Sequence, residues 1–186
     1  LARRLGMLLA LAGATPLFAA PGLYDTSFNG TGIARIDFGT NYDIVRAVAV
    51  QPDGKIVSVG SCGKTAGAAA ARNICIARTN ASGSLDTGFA GSGVVQITNS
   101  GDNYASGVAI TPGGDILVSG TCQSSFCAYK LSASGGLYTN FGTYSPSGGR
   151  VMFAPSGLVM AARSLLLHAD GAFVIGGSCF NSTGAE

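Results

Sequence analysis

The 186 residues carry 11 Lys+Arg against 9 Asp+Glu, a single His, no Trp and 29 Gly. Charged residues make up only 11% of the chain, which excludes the clustered positive surface that displaces counterions from a nucleic acid. Dense Val, Ile and Leu runs exclude a disordered Gly/Ser chain; they suit short strands between tight turns, in a chain long enough to bury one good core.

Residues 1–20, LARRLGMLLALAGATPLFAA, read as a secretory signal peptide: Arg3 and Arg4 open it, Leu5 to Ala14 form an apolar stretch, and small residues follow. That stretch is too short to span a bilayer. The other reading is a buried N-terminal helix. Ala12-Gly13-Ala14 has the small-x-small form of a cleavage site, cleavage after Ala19 is also tolerable, and no Cys follows for lipid attachment. Removing Arg3 and Arg4 leaves nine basic against nine acidic residues. The mature chain is expected to be secreted, periplasmic or on the cell surface, with no membrane span.

Residues 21–186 repeat a pattern. VQPDGKIVSVGSC (50–62) returns as ITPGGDILVSGTC (110–122) and as LHADGAFVIGGSC (167–179). Around it the copies run 23–83, 84–135 and 136–186, the last stopping inside its own pattern. Each reads as four short strands. The first is GIARIDF (32–38), matched by GVVQIT (93–98) and RVMFA (150–154). The second is RAVAV, matched by SGVAI and RSLLL; the third is KIVSVG, matched by DILVSG and AFVIGG; the fourth is ICIART, matched by CAYKL. Between the second and third strands stand Asp53-Gly54, Gly113-Gly114 and Asp170-Gly171, which make hairpin turns because Gly accepts positive φ and Asp bonds its own backbone. Turn-rich links, NASGSLDTGF and SASGGLYTNF, join the copies.

Four strands repeated about every 50 to 60 residues point to β-propeller blades. A four-stranded sheet with two apolar faces cannot bury both alone, and stacked neighbours hide them. The expected fold is all-β: a partial β-propeller of four-stranded antiparallel blades, two plus part of a third, as a fragment. Propellers need about four blades or more, so further blades of the same chain, or assembly of several chains, are expected.

SLDTGF, VAVQPDGKIVSVG and IARTNASGSLDTGF resemble the delta-60 repeat family of bacterial exported propeller-type repeats, over about Leu23 to Ser178. The resemblance implies the fold and an exported setting, and no mechanism. Copy three departs from it: Tyr138 stands where Asp86 stands in copy two, and TYSPSG (143–148) lengthens its link.

Five cysteines in an exported chain predict disulfides. Cys62 and Cys122 end the third strands, Cys75 and Cys127 sit in the fourth, so the repeat predicts Cys62–Cys75 and Cys122–Cys127. Cys179 matches Cys62, and its partner would fall just after Glu186. Zinc is the rival reading, but there is one His and no CxxC.

Other candidate chemistry is thin. His168 aligns with Gln51 and Thr111 at a strand end, a structural place. GSCGKTAG around Lys64 lacks the leading Gly of a phosphate loop, Ser58 standing there instead. Asp25 and Asp86 in the links, with Asp53 and Asp170 in the hairpins, read as turn-bonding residues; calcium is the functional alternative. Arg78 and Lys130 match in the fourth strand, where the structural reading is a solvated outer strand and the functional one a basic ring for an acidic ligand. Phe28, Phe89 and Phe141 match and are expected to wedge between blades as core. Asn29, Asn80 and Asn181 satisfy the glycosylation pattern, idle in the expected bacterial source.

No catalytic, cofactor-binding or metal residue is assigned. The function expected is an exported, non-enzymatic propeller repeat protein that binds or scaffolds an unknown ligand or surface partner. The alternatives are a propeller lyase or hydrolase whose site lies in a missing part, or a repeat module of a larger surface protein.

Overall fold

The structure, a computed structural model, describes residues 22–63, 72–142 and 149–181. The expected signal peptide, Lys64 and the TYSPSG segment lie outside these residues. Ten strands and no helix are formed among the described residues. A first sheet orders β1 (Tyr42–Val50), β2 (Ile56–Gly63), β3 (Arg72–Thr79) and β4 (Val94–Ile97). A second orders β5 (Asn103–Ile110), β6 (Ile116–Cys122), β7 (Ser125–Leu131) and β8 (Arg150–Phe153). A third pairs β9 (Leu158–Leu167) with β10 (Phe173–Asn181). Every pairing is antiparallel.

The sheets are offset from the sequence repeat by one strand. The segment expected to open copy two, as β4, closes the sheet begun by copy one, and β8 from copy three closes the second sheet. The link explains this. Asn80 to Gly93 folds straight back, with Thr79 bridging Leu85 and the Arg78 N–H donating to the Gly93 carbonyl at 3.0 Å. With Gly93 held beside Arg78, the chain continues antiparallel to β3 and pairs Val94 with Ala77. The expected strand over 32–38 is therefore corrected: its exposure alternates residue by residue, but it joins no sheet among the described residues.

The sheets stack on their faces. Val57 and Val59 of β2, Ile74 and Ile76 of β3, and Ile116 and Val118 of β6 form one core with Phe89, Tyr129 and Leu131. Each fully buried Val or Ile contributes about 1.5–3 kcal/mol of apolar burial. Strand β6 is buried along its whole length, because the first sheet covers one face of the second sheet and β9 packs on it as well. Strand β10 is largely open.

The three aromatic link residues differ. Phe89 is 0% exposed and lies in the core, whereas Phe28 and Phe141 are only half-buried. Phe89 packs against Gly135, where a Cβ would stand 2.9 Å from the ring, and Phe28 packs on Gly83 in the same way. Each link is also tied to the next: Asn29 N–H donates to the Ser82 carbonyl at 2.6 Å, and Ala90 N–H to that of Ser134 at 2.8 Å.

Candidate functional site

Strand β5 packs between β1 and β9, the opening strands of the three sheets. Each of the three is bulged at the same repeat position. Pairing skips Arg46 in β1, Ser106 in β5 and Arg163 in β9. A bulge leaves one residue without a partner and re-aims its side chain. The facing residue is Gly60, Gly120 or Gly177, and the carbonyl of Ile44, Tyr104 or Ala161 folds over it. A Cβ would meet that oxygen at 1.8, 2.1 and 2.2 Å respectively, so only Gly fits. The repeated Gly two places before each Cys is the sequence signal for this feature.

The bulges bring Arg46, Ser106 and Arg163 to one cavity of about 360 Å³, walled also by Ile44, Val45, Tyr104 and Ala162. Arg46 lies 5.0 Å over the Tyr104 ring, and Arg72 lies 5.1 Å from the same ring. Arg72 is held by Asp102: its Nε donates to Oδ1 at 2.6 Å and its Nη2 to Oδ2. The Arg72 hydrogen bond holds the Asp102 carboxyl below the usual carboxylate range, and the same bond raises Arg72. Buried Asn103 locks this corner, its Nδ2 donating to the Gly101 carbonyl at 2.8 Å and the Arg72 carbonyl at 3.3 Å. Strand β9 is fixed to the second sheet by Met160 N–H to the Ser124 carbonyl at 2.7 Å and Ala162 N–H to Thr121 Oγ1 at 2.9 Å. Ser106 Oγ is buried and has no hydrogen-bond partner.

A second polar group sits where the link meets the hairpin. Arg78 is 6% exposed, which corrects its reading as a solvated outer-strand residue. It stands in the third strand of its sheet, covered by the next link. Its Nε donates to Asp86 Oδ2 at 2.8 Å, its Nη1 to Gln51 Oε1 at 3.4 Å and to the Ala133 carbonyl, and its guanidinium lies 4.6 Å over Phe89. Lys55 adds a second cation 3.3 Å from Asp86. Burial opposes ionisation of Asp86, but hydrogen bonds from Lys55 and the Gly88 N–H, with the Arg78 charge, outweigh it and keep the carboxyl low. Lys130, the match of Arg78, instead pairs with Asp115 at 2.9 Å and lies 5.1 Å over Tyr138. The Tyr138 hydroxyl donates to Asp115 at 3.1 Å, a bond that raises its pKa. Arg78 and Lys130 are thus each neutralised within their own corner, which leaves no basic ring there.

The remaining sequence candidates sit in turns. Gly54, Gly114 and Gly171 have φ of +82°, +85° and +90°, whereas Gly113 is not left-handed. Asp53 accepts the Lys55 N–H at 3.1 Å and Asp170 the Ala172 N–H at 2.9 Å; in the second hairpin Thr111 Oγ1 replaces them, accepting from Asp115 N–H at 3.0 Å. The Ala172 N–H, followed by His168, holds the Asp170 carboxyl low, and His168 is exposed with its Nδ1 3.0 Å from Asp170. Asp25 is likewise lowered by the Ser27 hydroxyl and N–H. Cys62 is bonded to Cys75 and Cys122 to Cys127, with Cα separations of 5.7 and 5.8 Å, and Cys179 is free and exposed. In both pairs one cysteine faces a residue two along from the other, the same diagonal across neighbouring strands. Among the described residues no group of three or more His, Cys, Asp or Glu converges on a metal position, and no helix is long and apolar enough to cross a membrane.

Residues 51–89 are similar to a family described as "Domain of unknown function (DUF5122) beta-propeller". The match runs from the first hairpin turn through β2, β3 and the link to Phe89, less than one full repeat. No curated protein matches the chain. Fold and match together define an all-β protein of antiparallel four-stranded sheets with similarity to a propeller-type domain.

Proposed function

We propose that the chain is an exported, non-enzymatic β-propeller repeat protein of the delta-60 type, and that it binds its ligand at the mouth formed by its opening strands. Each sheet is then a blade, and β1, β5 and β9 are the strands nearest the propeller axis. The observation that carries the binding role is the triple bulge, which turns Arg46, Ser106 and Arg163 toward one cavity. Bulges re-aim side chains and are frequent beside functional sites. The two disulfides support export, because such bonds persist in oxidising compartments.

Two measurements test this reading. Mass spectrometry of the protein in fractionated cells, alkylated without reduction, is expected to find it outside the cytoplasm with one free thiol among the described cysteines; a cytoplasmic, fully reduced chain defeats the export reading. A panel of glycans and peptides is expected to yield binding without turnover. Hydrolysis or elimination of any member of the panel replaces the binding role with the propeller-enzyme alternative.

A further inference from the structure

We infer that the cavity between Arg46, Tyr104, Ser106 and Arg163 is an oxyanion site that takes a carboxylate or phosphate group. This rests on the proposed binding role and names the ligand chemistry for it. Charge is the first support. Arg72 is paired with Asp102, Arg78 and Lys55 with Asp86, and Lys130 with Asp115. Arg46 and Arg163 make no salt bridge among the described residues, and the Arg46 charge reaches only Asp102, a carboxylate already hydrogen-bonded to Arg72. The cavity wall therefore carries two guanidinium groups and no carboxylate. Planar forks of this kind match the paired oxygens of carboxylates and phosphates better than any other common ligand group.

Preorganisation is the second support. Arg46 lies over Tyr104, whose ring is also flanked by Arg72, and Arg72 is pinned by Asp102. Less side-chain freedom is then lost when a ligand binds. The Ser106 hydroxyl is the third support: it is buried and unpaired, a state that costs free energy until something accepts or donates there. An oxygen anion between the two arginines would supply the acceptor once the hydroxyl, buried in this structure, turns toward the cavity its residue lines. Ile44, Val45 and Ala162 leave part of the wall apolar, so an anion carried on an organic body fits better than a bare ion.

The test is isothermal titration calorimetry on the whole chain with its disulfides intact, using inorganic phosphate and sodium glucuronate as probes at fixed ionic strength. Saturable binding of at least one probe is expected, weakening as salt is raised. R46Q/R163Q is expected to weaken it by about tenfold or more, and Ser106→Ala by a smaller factor. Both arginines are exposed, so circular dichroism should show the fold unchanged. Lys130→Gln, at the separate link corner, should leave the affinity unaltered. Binding of glucuronate alone assigns a carboxylate, and binding of phosphate alone a phosphate ester. No saturable binding of either probe, or binding that survives R46Q/R163Q, overturns the inference. A neutral ligand found in the panel whose affinity ignores the two arginines would leave the binding role standing and remove the oxyanion.

Discussion

The corner where link meets hairpin occurs twice, and the two versions hold their charges in different places. In the first sheet the carboxylate is Asp86 on the link, and the cations are Lys55 and Arg78 on the strands. In the second the carboxylate has moved to Asp115, the position of Lys55, while Tyr138 fills the place of Asp86 and Lys130 that of Arg78. What the repeat preserves is a neutralised contact between link and strand, not a residue. The corners also differ in depth, since the Arg78 side chain is 8% exposed and that of Lys130 33%.

Depth predicts the largest difference between them. Arg78→Ala removes the donor to the Ala133 carbonyl and one of the two cations on Asp86 at a covered site, leaving Lys55 as the other, and is expected to cost about 2 kcal/mol. Lys130→Ala, at a wetter pair, is expected to cost about 1 kcal/mol or less. Urea midpoints of the two variants measure the contrast, and equal shifts would remove it. The disulfides extend the comparison. On the chain-entropy view, C62A/C75A, which opens a loop with sequence separation 13, should cost about 3 kcal/mol. C122A/C127A, with separation 5, should cost about 2 kcal/mol.

Acid sharpens the contrast with a smaller effect. The carboxyl of Asp86 is lowered on folding, so its stabilisation is complete above its unfolded pKa of about 3.9 and fades as pH falls through the lower folded value. Urea midpoints at pH 7 and pH 3 should therefore fall less in Asp86→Asn than in the wild type. The smallest effect concerns the β6–β7 hairpin, whose two turn residues, Gln123 and Ser124, have φ of +50° and +64°. Such a turn favours Gly at its second place, and Ser124→Gly is expected to stabilise the second sheet by about 0.5–1 kcal/mol. Thermal midpoints would show the gain.

What the sequence made legible was local. Asp53-Gly54 and Asp170-Gly171 name their own turns, because the side-chain and left-handed requirements lie within a few residues. The cysteine pairs were legible because two copies carried them in the same strands. The sheet boundaries were not, since a repeat has the same period wherever it is cut, and nothing in GVVQIT says which side it pairs with. Arg78 misled for a similar reason: its cover comes from Ala133, a whole copy away. The charge exchange hid as two mismatches, Lys55 against Asp115 and Asp86 against Tyr138. The bulged arginines open RAVAV and RSLLL, but Ser106 in the copy between them breaks the match, so the repeat shows no row of like residues.

The one-strand offset bears on how such a chain lengthens in a genome. In both four-stranded sheets the closing strand is encoded at the head of the following copy. A tandem duplication one unit long therefore adds one whole sheet wherever its breakpoints fall, because the borrowed strand is supplied by whichever copy comes next. Recombination between misaligned copies can add or remove units without orphaning a strand, whereas an indel that is not a whole unit disturbs two sheets at once.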